Sequence, residues 1–218
     1  LNEDTGQWVA VDDPQIDFEN GTISGTTDHF TKFAAIARTV ENADFTDIQG
    51  HWAEEAIRRL AGSRIVSGYP DGTFRPDRPI TRAEFVTLMT AALQWTPTRD
   101  HTFADTENHW ARIAVSTAYA NGMIRGYDDK TFAPDEPITR EQMAVMAANA
   151  MDLEHPMAAL SFADGDRISR WARAAVEAAA EQGIFSGYPD RTVKPQAHAT
   201  RAEAVMVIGR IMDIIEGQ

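Results

Sequence analysis

Ile80-Thr81-Arg82-Ala83-Glu84 recurs as Ile138-Thr139-Arg140-Glu141-Gln142 and again as Ala199-Thr200-Arg201-Ala202-Glu203. Each copy follows a loop rich in proline or aspartate and precedes an apolar run. Thr-x-x-Glu/Gln ahead of such a run is a capping box. The threonine hydroxyl accepts from the N3 amide, and the N3 side chain reaches back to the N-cap amide. The pattern predicts a helix after each threonine. It does not account for the arginines. Each falls at about the first helical position, where the helix dipole disfavours a cation by a few tenths of a kcal/mol. Two explanations stand open: an anion held jointly by the arginine and the helix N-terminus, or an ion pair with a neighbouring aspartate.

Outward from the box, the similarity extends over most of the chain. Phe45-Thr46-Asp47-Ile48 matches Phe103-Ala104-Asp105-Thr106 and Phe162-Ala163-Asp164-Gly165. Trp52-Ala53, Trp110-Ala111 and Trp171-Ala172 follow. Then come Gly68-Tyr69, Gly126-Tyr127 and Gly187-Tyr188, and the box closes each unit. Self-similarity at a near-constant period marks one supersecondary unit used three times. Each unit reads as helix, loop, helix. The first helix is expected to start at the tryptophan, with Trp52, Ala56, Ile57, Leu60 and Ala61 on one apolar stripe. Trp110, Ile113, Ala114, Ala118 and Ala120 behave similarly, as do Trp171, Ala175, Val176, Ala179 and Ala180. Gly122 and Gly183 are natural stops. The second helix carries Phe85, Leu88, Met89 and Ala92, with counterparts from Met143 to Ala150 and from Val205 to Ile215. One unit cannot bury two such stripes. Three units closing on each other, with one helix per unit at the centre, can.

Ahead of the repeats, residues 1–40 read as β. Gln7–Val11 is a short strand, Gln15–Glu19 and Thr22–Thr26 flank an Asn20-Gly21 hairpin turn, and His29–Ile36 is a last strand. Four strands make little core of their own. The chain opens at Leu1 inside this segment, so the expectation is a C-terminal part of a longer exported protein, with residues 1–40 the tail of a preceding domain.

The bulk properties narrow the function. With 33 Asp+Glu against 20 Lys+Arg, the formal net charge is -13, which argues against a general nucleic-acid binder. There is no cysteine, so disulfides, thiolate metal sites and cysteine nucleophiles are excluded. No apolar stretch approaches the ~20 residues of a membrane span, so no membrane insertion is expected. The acids recur in all three copies at loop and cap positions, whereas a catalytic pair is made once, so no enzyme is expected. Asp71 to Asp77 lacks the alternating acid ligands of an EF-hand, and Asp164-Gly165-Asp166 is a poor match too. His51 and His109 precede their tryptophans, but Arg170 stands there in the third copy. That favours packing or capping over zinc. No metal or cofactor is called for. The tryptophans read first as core residues. Tyr69, Tyr127 and Tyr188, each beside a glycine, are stronger contact candidates, because glycine permits close approach and tyrosine offers a face and a hydroxyl. Arginine, aromatic and exposed amides together suit an acidic sugar.

Phe-Thr-Asp-Ile, His-Trp-Ala, Gly-Tyr-Pro-Asp-Gly-Thr-Phe-Arg-Pro and Ile-Thr-Arg-Ala-Glu, in three copies at this spacing, resemble the surface-layer homology (SLH) repeat. The resemblance implies a mainly α fold: a pseudo-threefold module of three helix-loop-helix repeats, at 41–101, 102–160 and 161–218, behind a short β segment. It implies a place on the bacterial cell surface, in the wall or S-layer. There the module would anchor an upstream protein non-covalently to a secondary cell-wall polysaccharide attached to peptidoglycan, typically one bearing pyruvate ketals. Arg82, Arg140 and Arg201 would grip the ketal carboxylate in grooves between adjacent repeats. The pairs Gly68-Tyr69, Gly126-Tyr127 and Gly187-Tyr188, with Trp52, Trp110 and Trp171, would line those grooves. The alternative is a protein-interaction or S-layer lattice module that self-associates through the same grooves. Three departures predict unequal grooves. Gly72 becomes Lys130 and Arg191, where a positive φ would strain or reshape the turn. Gln142 replaces the box glutamate. The third copy lacks the Asp-x-Pro-Ile lead-in. The groove relying on the third copy's loop departs most, and among the arginines Arg82 ranks first as a ligand contact and Arg201 last.

Overall fold

The structure, a computed structural model, describes residues 12–17, 22–26, 44–153 and 162–217. The chain divides into two units, 1–40 and 41–218. In the first, β1 (Asp12–Asp17) and β2 (Thr22–Thr26) form an antiparallel pair. The flanking strands of the expected hairpin are therefore present. β1 starts earlier than Gln15, with a register shift between Asp12 and Gln15, where Pro14 has no amide to donate. The Asn20-Gly21 turn and the strands expected at 7–11 and 29–36 lie outside the described residues.

The second unit is helical: α1 (Glu54–Gly62), α2 (Arg82–Ala92), α3 (Arg112–Ala120), α4 (Arg140–Ala150), α5 (Arg173–Glu181) and α6 (Arg201–Glu216). Both halves of the capping box form at Thr81, Thr139 and Thr200. The first helix of each repeat starts two residues later than expected. The indoles are not the first members of its apolar stripe: Trp52, Trp110 and Trp171 are 63%, 65% and 60% exposed. In each copy the chain turns just ahead of the helix, which leaves the tryptophan outside it. In the first two copies His51 Nδ1 accepts from the Ala53 amide at 3.1 Å, and His109 Nδ1 from the Ala111 amide at 3.2 Å. In the third, behind Arg170, the Ala172 amide donates to the Ser169 carbonyl at 2.9 Å. The two histidine rings thus hold the turn before the helix and do not cap its first turn.

Ring closure follows from one repeat packing on the next. α2 packs on α3, α4 on α5 and α6 on α1. At the centre, the residues before each box join in a cycle. The Ile80 amide donates to the Ala199 carbonyl at 3.0 Å, Ala199 to Ile138 at 2.9 Å, and Ile138 to Ile80 at 3.0 Å. The box helices occupy the centre, burying residues such as Phe85, Met89, Met143, Val205 and Ile208.

The loops are held by the aspartate of each Phe-x-Asp motif. Asp47 accepts from the amides of Phe74 and Arg75, Asp105 from Phe132 and Ala133, and Asp164 from Val193 and Lys194, all within 3.1 Å. In each pair the second residue has a positive φ: 57° at Arg75, 57° at Ala133 and 47° at Lys194. The carboxylate fork offsets the cost of that left-handed turn. At the Gly72 position both expected outcomes occur. Gly72 has φ 80° and Arg191 takes the strained φ of 61°, while Lys130 is not among the positive-φ residues and its turn is reshaped.

Candidate functional site

The arginine of each box emerges at the start of a central helix and is buried: Arg82 is 4% exposed, Arg140 3% and Arg201 7%. The helix-terminal amides beside them are already used. Arg82 N donates to the Glu136 carbonyl and Ala83 N to Pro134; Arg140 N donates to Ala197 and Glu141 N to Pro195; Arg201 N donates to Arg78 and Ala202 N to Pro76. The N3 amide belongs to the threonine. An anion at these helix ends would therefore be held by the arginine and not by free amides. The acceptor carbonyls also show which loop each arginine meets. It is the loop of the next repeat, not its own. The third copy's loop consequently serves Arg140, and Arg201 sits on the first copy's loop.

Two clefts open beside these arginines, and each draws on all three repeats. One gathers Arg82 from the first, Gly126, Tyr127 and Gln142 from the second, and Trp171 from the third. The other gathers Arg140 from the second, Gly187, Tyr188 and Glu203 from the third, and Trp52 with Asp77 from the first. Trp110 is exposed and lines neither cleft. Arg201 faces Tyr69, with its guanidinium 5.2 Å from the ring centroid. Arg75 covers that ring at 4.0 Å. The glycines beside the tyrosines make room for the protein itself. A Cβ on Gly68 would lie 2.6 Å from the Thr73 carbonyl oxygen, and one on Gly126 would lie 2.8 Å from that of Thr131.

The three arginines share one anchor and differ in charge balance. Nε donates to a loop carbonyl in every case: Arg82 to Phe132 at 2.8 Å, Arg140 to Val193 at 2.7 Å and Arg201 to Phe74 at 2.9 Å. Arg140 is otherwise satisfied, with Nη2 on the Ser186 carbonyl at 3.1 Å and Nη1 on Glu203 at 2.7 Å. Glu203 also accepts from the Tyr188 hydroxyl at 2.6 Å. Burial, and then that bond, push the Tyr188 hydroxyl up to about 12, so it stays a donor. Arg201 lies 3.9 Å from Glu84, which is closer to Arg78 at 3.0 Å. Among the described residues no carboxylate pairs with Arg82. Its guanidinium rests 4.6 Å from the centroids of Tyr127 and Phe132. Burial pulls the Arg82 and Arg201 guanidiniums below the usual arginine range, the signature of a cation that lacks full compensation. Of the two explanations open from sequence, the pairing with a neighbouring aspartate is not found among the described residues: the partner, where there is one, is the box glutamate of the next repeat.

Among the described residues no group of three or more His, Asp or Glu is arranged to hold a metal, and no helix is long and apolar enough to cross a membrane. The S-layer homology domain model matches residues 44–86, 102–144 and 161–205, more than half the chain. An amylopullulanase of Thermoanaerobacterium thermosulfurigenes is 35% identical over 97% of this chain, which spans 12% of that relative. A surface-layer 125 kDa protein of Lysinibacillus sphaericus is 29% identical over 83% of the chain and 16% of its own length. A cellulosome-anchoring protein of Acetivibrio thermocellus is 32% identical over 68% of the chain and 35% of its own length.

Proposed function

The chain belongs to the S-layer homology domain family, and from that premise we propose that it anchors a longer surface protein by gripping an acidic wall polysaccharide with its box arginines. It is a cell-wall anchoring module of a bacterial cell-surface protein, not a catalytic one. Its relatives include enzymes, a surface-layer protein and a cellulosome-anchoring protein, and it spans a minor part of each. Any activity of the whole protein would reside in other parts of it.

The ligand we propose is a secondary cell-wall polysaccharide carrying pyruvate ketals. One observation carries this reading: Arg82 is a buried cation with no ion pair among the described residues, at the floor of a cleft walled by Tyr127 and the exposed Trp171. A ketal carboxylate docked on its free guanidinium edge would gain charge-assisted bonds of ~1.5–3 kcal/mol each. The ring and indole offer apolar faces for the sugar. A net charge of -13 opposes an anionic polymer at long range, so affinity must come from this local geometry, and moderate salt, which screens the repulsion more than the buried contact, should hold or raise it.

The experiment is sedimentation with purified wall sacculi. The module should bind sacculi that keep their polysaccharide and lose most binding once the polysaccharide is chemically stripped. Undiminished binding to stripped sacculi would point to a protein or peptidoglycan partner, the lattice-type alternative.

A further inference from the structure

The grooves share a template but not a charge state, and one position makes the difference. The third residue of each box helix projects into the groove of the preceding repeat's arginine. It is Gln142 opposite Arg82, Glu203 opposite Arg140 and Glu84 opposite Arg201. All three side chains keep their capping duty, accepting from Thr139 N at 3.1 Å, Thr200 N at 3.0 Å and Thr81 N at 2.9 Å. Glutamine and glutamate are thus interchangeable for the cap and opposite in meaning for the groove.

Glu203 has no capacity left for a ligand. It takes Arg140 Nη1, the Tyr188 hydroxyl and the Thr200 amide, and Arg140 in turn is bonded through all three of its nitrogens. A ligand carboxylate entering there meets a neutral pair and a like charge. Gln142 donates from Nε2 to the Tyr127 hydroxyl at 3.0 Å, and that hydroxyl donates to Glu136 at 3.2 Å. The acid is thereby moved to the rim and away from Arg82, whose charge stays open to the cleft.

We infer that the third residue of the box helix selects the charge of the sugar each groove accepts: Gln142 makes the Arg82 groove the acidic-sugar site, and Glu203 closes the Arg140 groove to acidic sugars, leaving it to uncharged parts of the glycan. This rests on the glycan reading above. The Arg201 groove is intermediate, because Glu84 is shared with Arg78. A single glutamate–glutamine exchange therefore retunes which sugars along the polymer are held where.

The test follows each groove by its own indole. Trp171 reports on the Arg82 groove and Trp52 on the Arg140 groove, through their indole N–H resonances. The probes are a methyl glycoside bearing a cyclic pyruvate ketal and the methyl ester of that ketal. In the wild-type protein the acid should shift Trp171 at lower concentration than Trp52, and the ester should not discriminate. Gln142→Glu should weaken the acid at Trp171 by roughly tenfold to a hundredfold, the scale of one charged hydrogen bond. Glu203→Gln should strengthen it at Trp52 by a similar factor. Both variants retain the cap, and Gln142→Glu should melt near wild type; Glu203→Gln also leaves the buried Arg140 without its carboxylate and should melt lower, so for it a single cooperative melt and retained indole dispersion verify the fold. If wild type prefers acid to ester but neither exchange moves either curve, the selector is wrong and the glycan reading stands. If neither indole in wild type distinguishes acid from ester, both fall.

Discussion

Replacing Arg140 by methionine is expected to destabilise the helical unit by about 3–5 kcal/mol, the range for breaking a buried ion pair by removing one partner. The change leaves Glu203, whose side chain is 13% exposed, without its cation, and strips donors from the Val193 and Ser186 carbonyls. Arg82→Met breaks no ion pair and orphans the Phe132 carbonyl, so its cost should be nearer ~1–3 kcal/mol. Urea unfolding of the two variants, with unchanged slope, measures the difference. Equal costs would mean that the Arg140–Glu203 pair is not the closed, structural contact described above. The same comparison separates two roles of one motif. Arg140 holds two repeats together through a neighbour's box, while Arg82 is held by the second repeat's loop and remains available.

The second large effect concerns the glycines that precede the groove tyrosines. Gly126 has φ 75°, and an added Cβ would stand 2.5 Å from Phe103 Cε1 and 2.8 Å from the Thr131 carbonyl oxygen. Overpacking of this kind costs about 1–3 kcal/mol, and the left-handed backbone adds about 1–2 kcal/mol for a side chain. Gly126→Ala should therefore lower stability by roughly 2–5 kcal/mol and displace Tyr127. Gly68→Ala meets the Phe45 ring and the Thr73 carbonyl and should cost about 1–3 kcal/mol. Gly72→Ala is the control. It has φ 80° but open space around it, and Arg191 already takes the same conformation in the third copy. Thermal melts should rank the three with Gly72→Ala the mildest. A Gly126→Ala protein that melts like wild type would contradict the close packing of loop on ring.

Local chemistry was the part legible from sequence. The capping boxes, the helix stops at Gly122 and Gly183 and the threefold repetition all rest on interactions within a few residues, and the structure has each of them. The tryptophans were misplaced on an apolar stripe because periodicity counts a residue that precedes the helix as though it were inside it. For Trp52 and Trp110 the turn ahead of the helix is held by a histidine ring accepting from the second following amide, a single hydrogen bond with no periodic trace; Trp171 is as exposed behind Arg170, where the Ala172 amide donates to the Ser169 carbonyl. The link from each arginine to the next repeat's loop was invisible for a different reason. Partners such as Arg82 and Phe132, or Arg201 and Phe74, are far apart in the chain, and three near-identical loops offer no local mark of which arginine each receives. Gln142 stood out in the sequence as a departure. Only the handover between repeats turns it into a statement about Arg82. The aspartates of the Phe-x-Asp motif recur at a near-constant distance before each loop, and that recurrence is the sequence signal for the amide clamp they make.

The most direct test of the arginine grip is isothermal titration of the module with purified wall polysaccharide before and after removal of its pyruvate. The expected result is a saturable affinity for the pyruvylated polymer that falls by roughly tenfold to a hundredfold on depyruvylation, as the loss of a charged hydrogen bond requires. Equal affinity for the two polymers would contradict a carboxylate held by the buried arginines.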